Sequence, residues 1–526
     1  MNDEDLEAEL PLSTSDSDLQ AEDRRMIDDK KGHDDKSGYD DKSEQDDAAV
    51  NLEELLQGLG LGVGQYITWG ILFLTALSHK LTMYFMTSVL NPYLRCEWKQ
   101  DSALGTSMGT TNPIVIALSG VLFGSLADKY GRRTVLLATS ILLLIGSLMA
   151  AFSPNYWVFL AARVMQGLCT GIGFPVTFIF ATEVVNAKFK ELAVFTMAMS
   201  AQLQQLGGIF LSLITRLFLN QNLTDWRTLT VILISPLVCS ILGLFCIPES
   251  PRYLLVSGKG EEALSALQKL FKWNGTAFPD IGGGVKVMPC QVEECEEITG
   301  LFRHGLAKLT TLLTVVFFSN LFMWAALAAY LTLYSQDTGQ VESTSSSYDK
   351  KCTQTLDQKV LNGYLAAFLG DVVGCSFAAF AGKRVGRRLV IRGFAVLAIV
   401  ISVPVYFDIT SDILKDVSSM LFRFSVTGLR FTLWLIAIEA YPTVLKGTVS
   451  GFTHAFGEAG GAIGAVLTYE LYPVSSISVV ALFVSIAVVQ LVASFLWGTE
   501  IDQSNCDDDD DETDGLGSGV PGSPSR

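Results

Sequence analysis

Segments long and apolar enough to cross a lipid bilayer recur along the whole chain, and they limit its possible folds more than any other feature. A membrane-spanning helix needs about 20 predominantly apolar residues, because its backbone polar groups must pair within the segment. Twelve segments meet this requirement, at residues 66–90, 106–127, 134–152, 156–180, 193–219, 229–247, 306–333, 359–381, 389–407, 418–439, 448–472 and 475–498. A polar stretch at 249–304 separates the first six from the last six. The sequence therefore predicts an all-α membrane protein with twelve transmembrane helices in two six-helix pseudo-repeats.

Acidic residues are concentrated at the two ends of the chain. Residues 1–54 contain 20 acidic and 6 basic residues, and residues 499–526 contain 9 acidic residues and 1 basic residue, in a chain of net charge −17. Both ends have few large apolar residues, so burial cannot offset the entropy lost on folding. We expect disordered tails that are solvated or bind cytosolic partners, and no nucleic-acid binding. The predicted domains are the tail 1–54, the bundle 55–248, a linker with short helices 249–304, the bundle 305–498 and the tail 499–526.

Lysine and arginine are distributed unequally among the loops, and cytoplasmic loops are enriched in these residues. Loops 2–3, 4–5 and 8–9 carry Lys129, Arg132, Arg133, Lys188, Lys190, Lys383, Arg384, Arg387 and Arg388, whereas loop 3–4 carries none. The sequence predicts a multi-pass protein of the plasma membrane or an intracellular vesicle, with both tails and the linker in the cytoplasm. The glycosylation sequon at Asn274 is then cytoplasmic and should remain unmodified.

Two motifs occur at corresponding places in the two halves and indicate an internal duplication. Residues 124–133 read Gly-Ser-Leu-Ala-Asp-Lys-Tyr-Gly-Arg-Arg, and residues 379–388 end in the same Gly-Arg-Arg. Spans 4 and 10 both end in an acidic residue followed by a basic turn. Ion pairs between these groups would close one conformation and break as the bundles rock, although the basic residues could also serve topology alone. The predicted gate residues are Gly124, Asp128, Gly131, Arg132, Arg133, Glu183, Gly386, Arg387, Arg388 and Glu439. Lys383 replaces Asp128 in the second copy, so no Asp-mediated latch is predicted there.

Polar side chains inside the spans are the best candidates for a functional site, because charge at bilayer depth is costly and usually faces a cavity. The candidate substrate-binding residues are Lys80, Arg163, Gln202, Gln205, Asn320, Trp324, Asp371, Arg430 and Glu458, and the candidate coupling residues are Asp371, His454 and Glu458. Other interpretations stay open. Arg163 could be structural, Arg423 could reach a membrane face, and Asp371 and Glu458 could be counter-ions. The glutamine pair could form interhelical hydrogen bonds.

Four signatures resemble those of the major facilitator superfamily. They are residues 124–133, Arg163-x-x-Gln166-Gly167, Pro248-Glu249-Ser250-Pro251-Arg252-Tyr253 and residues 439–447. Residues 94–98 and 257–261 are similar to the branch of synaptic vesicle 2-related proteins and organic cation and anion transporters. The resemblance implies the major facilitator fold and transport by alternating access. It adds Glu249 and Arg252 to the gate, and it implies that spans 1, 4, 7 and 10 line the cavity.

The predicted function is transport of a small organic solute. Cavity bases outnumber cavity acids, so an organic ion is favoured, as an anion or zwitterion, with Lys80 and Arg430 as charge contacts and Trp324 as an apolar wall. A coupling ion could accompany the substrate. The alternatives are a sugar-type porter and a non-transporting vesicle-membrane protein that acts through its acidic tails. No cofactor, metal or catalytic residue is predicted, because the chain has no nucleophile elbow, phosphate loop or metal-ligand cluster.

Overall fold

The computed structural model describes residues 52–84, 98, 102–218, 226–279, 298–303, 306–340, 358–406, 412–472 and 474–496. Within these ranges all regular structure is helical. The predicted disordered tails, 1–54 and 499–526, lie outside the described residues except for 52–54, which are helical.

The described ranges contain twelve long helices in the predicted order, each with 20 residues or more. The first six are α2 Val63–Tyr84, α3 Ser102–Phe123, α5 Arg132–Ala151, α6 Tyr156–Glu183, α7 Lys190–Phe218 and α8 Trp226–Cys246. The last six are α11 Leu306–Gln340, α12 Gln358–Val385, α13 Arg387–Tyr406, α14 Asp412–Glu439, α15 Lys446–Leu471 and α16 Ser476–Leu496. The prediction of an all-α fold with two groups of six long helices is confirmed.

Apolarity alone identifies only part of this set. Six helices in the described ranges are long and apolar enough to cross a membrane, a bent pair at the start of the chain gives a seventh candidate, and Thr110–Phe123 and Thr230–Cys246 are shorter apolar helices. Helix α15 is not apolar enough to be identified in this way, because it contains His454, Glu458 and several Ser and Thr residues. These residues are buried inside the bundle. Its polar residues face protein instead of lipid.

The short helices lie at one end of the bundle, which we call the motif end because residues 124–133, 249–253 and 439–447 lie there. They are α1 Leu52–Leu59, α4 Leu126–Tyr130, α9 Pro251–Val256 and α10 Gly260–Asn274, with 3₁₀ turns at Ala187–Phe189 and Ile298–Phe302. Gly131 and Gly386 separate a pair of consecutive helices at equivalent places in the two halves, with φ of 96° and 88°. Only glycine adopts this backbone readily, which explains the shared Gly-Arg-Arg sequence.

Helix α1 begins at Leu52, three residues before the predicted start of the first bundle. Its apolar face, Leu55, Leu56 and Leu59, packs against Leu267, Leu270 and Phe271 of α10. The chain then bends by 97° into α2. The Asn274 side chain holds this bend, because its oxygen accepts from Gly64 N at 2.7 Å and its nitrogen donates to Leu59 O at 3.2 Å. The Asn274 amide is therefore a structural group in this fold.

Candidate functional site

A buried ion pair joins the two halves at the centre of the bundle. Lys80 of α2 lies with its Nζ 2.9 Å from Oε1 of Glu458 on α15. The same Nζ is 3.5 Å from Nε2 of His454, which lies one helical turn before Glu458 and is itself 3.5 Å from the Glu458 carboxylate. Lys80 is 7% exposed and Glu458 is 5% exposed. The structure thus brings together three of the predicted residues in one contact group, which we call the central cluster.

Aromatic side chains from three helices surround the central cluster. The Lys80 ammonium lies 4.4 Å from the centroid of the Phe174 ring, a cation–π geometry. Phe178 stacks on Trp434 with centroids 4.6 Å apart, and Phe317 meets Trp434 edge-on at 5.6 Å. These rings are not among the site residues predicted from the sequence. The i,i+4 spacing of Phe174 and Phe178, on a span expected to line the cavity, was the available signal.

A second cluster of charges lies within the second half. Asp371 of α12 accepts hydrogen bonds from Arg423 and Thr427 of α14. Arg423 is 3% exposed, so it does not reach toward a membrane face, and Asp371 is its counter-ion. The Trp324 ring of α11 lies between two guanidinium groups, with Cζ of Arg423 4.5 Å and Cζ of Arg430 5.5 Å from its centroid. We call this set the α14 cluster.

Arg430 differs from the other cations at this depth. It is half-buried, and its Nη2 is 3.5 Å from the Thr427 hydroxyl. It forms no ion pair within the described ranges, although it interacts electrostatically with both Asp371 and Glu458. A guanidinium without an adjacent carboxylate is suited to bind an anionic group.

The remaining candidates have other hydrogen-bond partners or lie elsewhere in the described part of the chain. Arg163 is fully buried and donates to Gln166 at 2.9 Å. It lies 11 residues from Phe174 on the same helix, about 16 Å along the axis at 1.5 Å per residue. The Asn320 amide donates to Val426 O at 2.8 Å, and Gln202 is 3% exposed. The side chain of Gln205 lies outside the described residues.

At the motif end, Asp128 of the first half binds the start of α15 in the second half. Its carboxylate accepts from Gly447 N at 3.2 Å, Thr448 N at 2.9 Å and the Thr448 hydroxyl at 3.1 Å. A carboxylate at a helix N-terminus satisfies free N–H groups and opposes the positive end of the helix dipole. Burial raises the pKa of Asp128 to about 6, against the lowering effects of Arg132 and Thr448.

Arg132 is the centre of the first-half network. It contacts both carboxylate oxygens of Glu183 at 3.0 and 3.1 Å, and its guanidinium also donates to Thr443 O of the second half at 3.2 Å. Glu249 accepts from Arg133 N at 2.9 Å, and burial raises the Glu249 pKa. Arg252 pairs with Glu53 of α1, so the N-terminal helix is connected to the gate.

The second-half gate includes a contact that the sequence did not predict. Arg387 pairs with Glu439 inside that half. Lys383, which stands where the first copy has Asp128, lies 3.2 Å from Glu191 at the start of α7 in the first half. Each copy of the motif thus reaches the start of a helix in the other half, through a carboxylate in one copy and an ammonium in the other. The role of Lys383 depends on the position of its partner, Glu191. Glu191 is not among the residues predicted from the sequence.

Within the described part of the chain, no three His, Cys, Asp or Glu side chains lie close enough to share a metal ion.

Buried charges thus lie between two six-helix bundles, and hydrogen bonds and ion pairs join the bundles at the motif end. The sequence model of the Major Facilitator Superfamily matches residues 69–465. The chain therefore belongs to the major facilitator superfamily.

Relatives agree with this assignment, and solved structures show the same fold. The synaptic vesicle 2-related protein of Xenopus laevis is 25% identical over 453 residues, covering 84% of this chain and 80% of that protein. The organic cation transporter protein of Drosophila melanogaster is 23% identical over 391 residues, covering 70% of this chain and 65% of that protein. The structure of the human organic anion transporter MFSD10 superimposes with a TM-score of 0.59 at 15% identity, covering 85% of this chain and 100% of that one. The proton:xylose symporter XylE gives a TM-score of 0.62 at 13% identity, covering 82% of this chain and 94% of that one.

Proposed function

We propose that this transporter carries a small organic ion by alternating access, with a net-anionic substrate or a zwitterion favoured. One observation carries the proposal: the central charges do not balance. Arg423 is neutralised by Asp371 and Lys80 by Glu458, whereas Arg430 has no ion-pair partner in the described ranges. The three remaining charges of Lys80, Arg430 and Glu458 sum to one positive charge, which a monoanion would neutralise.

The position of Glu458 gives a route by which such an anion could act on the whole molecule. Lys80 belongs to the first half, whereas Glu458 and Arg430 belong to the second. An anion that binds Lys80 releases Glu458, and Glu458 can then pair with Arg430, with which it already interacts electrostatically. A salt bridge between halves is replaced by one within a half. Lys80, Glu458 and Arg430 are then all paired, which matters because an unpaired buried charge costs several kcal/mol.

Coupling to protons is proposed at Glu458 and His454 in preference to Asp371. Asp371 has Arg423 and Thr427 as partners inside one half, so protonating it does not affect contacts between the halves. Glu458 and His454 lie beside Lys80 of the other half. We also propose that both tails and the motif end face the cytoplasm, because the basic loops lie at that end. The membrane is proposed to be the plasma membrane or that of an intracellular vesicle.

Ligand binding to the purified protein tests the proposal, because a ligand that binds only the folded state raises its melting temperature. The panel contains organic anions, cations, zwitterions and sugars. We expect the largest shift from an anion or zwitterion, and Arg430→Gln should weaken binding about tenfold, or about 1.4 kcal/mol. Lys308→Met, at an exposed position on α11, is the matched control.

Two results would contradict the proposal. The first is stabilisation by sugars alone, which would make the protein a sugar-type porter. The second is no stabilisation by any class, together with loss of partner binding when residues 1–51 are deleted. That outcome would favour a non-transporting membrane protein that acts through its acidic tail.

A further inference from the structure

An apolar groove of about 500 Å³ lies on the outside of the bundle between α3 and α15, which belong to different halves. One wall carries Ile114 and Leu118 of α3, and the other carries Ile463 and Val466 of α15. Ala459 and Ala462 form part of the floor. The groove is separate from the central cluster, because His454 and Glu458 project from the buried side of α15.

Glycines determine the shape of this groove. At the motif end, α3 and α15 touch through Gly120, Gly124 and Gly451, where a Cβ added to Gly120 would lie 2.7 Å from Gly451 O. Toward the opposite end, alanines and larger apolar residues line the groove. The lining on α15 runs from Ala455 to Leu467, which is about 18 Å at 1.5 Å per residue. The groove thus extends along both helices from the point of glycine contact.

We infer that this groove binds one acyl chain of a membrane lipid. The lining is composed entirely of apolar side chains, so a headgroup or a polar solute would find no hydrogen-bond partner there. The four wall residues are 37% to 57% exposed on helices that cross the bilayer, so hydrocarbon is the medium that meets them. Small residues on the floor provide the depth that an unbranched chain needs for close van der Waals contact.

The bound chain also has a consequence for the conformation of the protein. This consequence rests on the proposed alternating access, which moves α3 and α15 relative to one another, so the groove has this width only while the motif end is closed. An acyl chain seated there stabilises that conformation by binding it preferentially. A membrane lipid thus acts as a ligand at the groove between α3 and α15. Its binding site is separate from that of the transported solute.

The test uses the full-length protein in nanodiscs that contain a phospholipid with a diazirine midway along one acyl chain. Photo-adducts are mapped by mass spectrometry. We expect labelling at Leu118, Ile463 and Val466 to exceed that at Val488 and Val492 of α16, which are similarly exposed, by about tenfold, or about 1.4 kcal/mol. Ala459→Trp fills the groove and should reduce its labelling to the α16 level, whereas Val488→Trp should leave it unchanged.

A second variant allows the inference to be tested even if Ala459→Trp does not fold. Ala117→Leu narrows the groove from the α3 side and should also reduce labelling there. Uniform labelling of groove and α16 would show surrounding lipid only and overturn the inference. Groove labelling that persists in both filled variants, or cross-links from the groove to a second protein chain, would overturn it as well.

Discussion

Lys80 and Glu458 show how single residues hold charge inside the membrane. Both are more than nine-tenths buried, and their 2.9 Å contact is reinforced by the Phe174 ring and by His454. Removing one member of such a pair costs more than removing both, because the remaining charge stays buried without a partner. The pair is therefore best examined by a double-mutant cycle.

We predict that Glu458→Gln lowers the free energy of unfolding by about 3–5 kcal/mol, the range for breaking a buried ion pair. Lys80→Met combined with Glu458→Gln should recover most of that loss. The measurement is denaturant unfolding in one detergent, with Glu470→Gln at an exposed position of α15 as control. Additive losses in the double variant would mean that the two side chains do not interact.

Asp128 gives a pH dependence whose sign follows from its pKa. Burial raises that pKa from 3.8 to about 6 in the closed motif end, so the closed form binds a proton more tightly than a form in which Asp128 meets water. Closure therefore gains up to about 3 kcal/mol from this group as pH falls from 7 to 4, at about 1.4 kcal/mol per pKa unit. This contribution is lost again as pH rises through 6.

Accessibility of a cysteine at Ala127, which is fully buried at the motif end, measures this effect. We predict slower labelling as pH falls, after correction for the thiolate fraction. Asp128→Asn keeps an oxygen for Gly447 and Thr448 but cannot titrate, so its labelling should be flat. A slope that survives this substitution would assign the titration to another group, and Glu249, whose pKa is also raised, would be examined next.

At the scale of elements, α3 and α15 depend on glycine for their close contact. A Cβ on Gly120 would lie 2.7 Å from Gly451 O and 2.8 Å from the Ala455 Cβ. Backbone atoms on both sides cannot move independently of their helices. A single methyl group is therefore enough to separate the two halves at this point.

We predict that Gly120→Ala opens the motif end and increases the labelling rate of a cysteine at Ala127 about tenfold, or about 1.4 kcal/mol. Gly393→Ala on α13 is the matched control, because a Cβ there meets nothing within 4 Å. Equal rates for the two variants would show that α3 and α15 tolerate the added methyl group.

The elements also show where sequence reasoning succeeds. Twelve spans were predicted from the sequence, and twelve long helices follow in the same order in the described ranges. The repeated Gly-Arg-Arg predicted an internal duplication, and its glycines, Gly131 and Gly386, separate consecutive helices in both halves. Helix α1 was missed because it has eight residues, and its apolar face has a partner only in α10. Pairings such as Lys80 with Glu458, 378 residues apart, require the tertiary fold. The same holds for Lys383 with Glu191.

At the scale of the whole molecule, the two halves are held together by unequal contacts. The Asp128 contact is buried, whereas the Lys383 side chain is 65% exposed and its pair with Glu191 is screened by solvent. Exposed pairs contribute about 0–1 kcal/mol. The equilibrium between the open and closed motif end should thus depend strongly on the Asp128 contact and weakly on the Lys383–Glu191 pair.

We predict that Lys383→Glu shifts the equilibrium toward the open motif end by about 1 kcal/mol or less. Glu191→Lys added to it should restore the wild-type distribution, because the pair is then reversed. Distances between spin labels at the exposed positions Thr134 and Leu389, one in each half, report this equilibrium. If the double variant keeps the distance shift of Lys383→Glu, the two side chains do not interact.

The hydrogen bonds of Asn274 at the bend between α1 and α2 have a consequence for the order in which the chain folds during synthesis. Leu59 accepts its hydrogen bond from a residue 215 positions later. At roughly 5–20 residues per second, the ribosome needs about 10–40 seconds to supply that partner. During this interval the first span is already made, while the leucines of α1 have no α10 to cover them. The leucines of α1 in a nascent chain of this protein thus stay uncovered until the linker emerges, and an eight-residue segment without a partner is too short to hold a helix by itself.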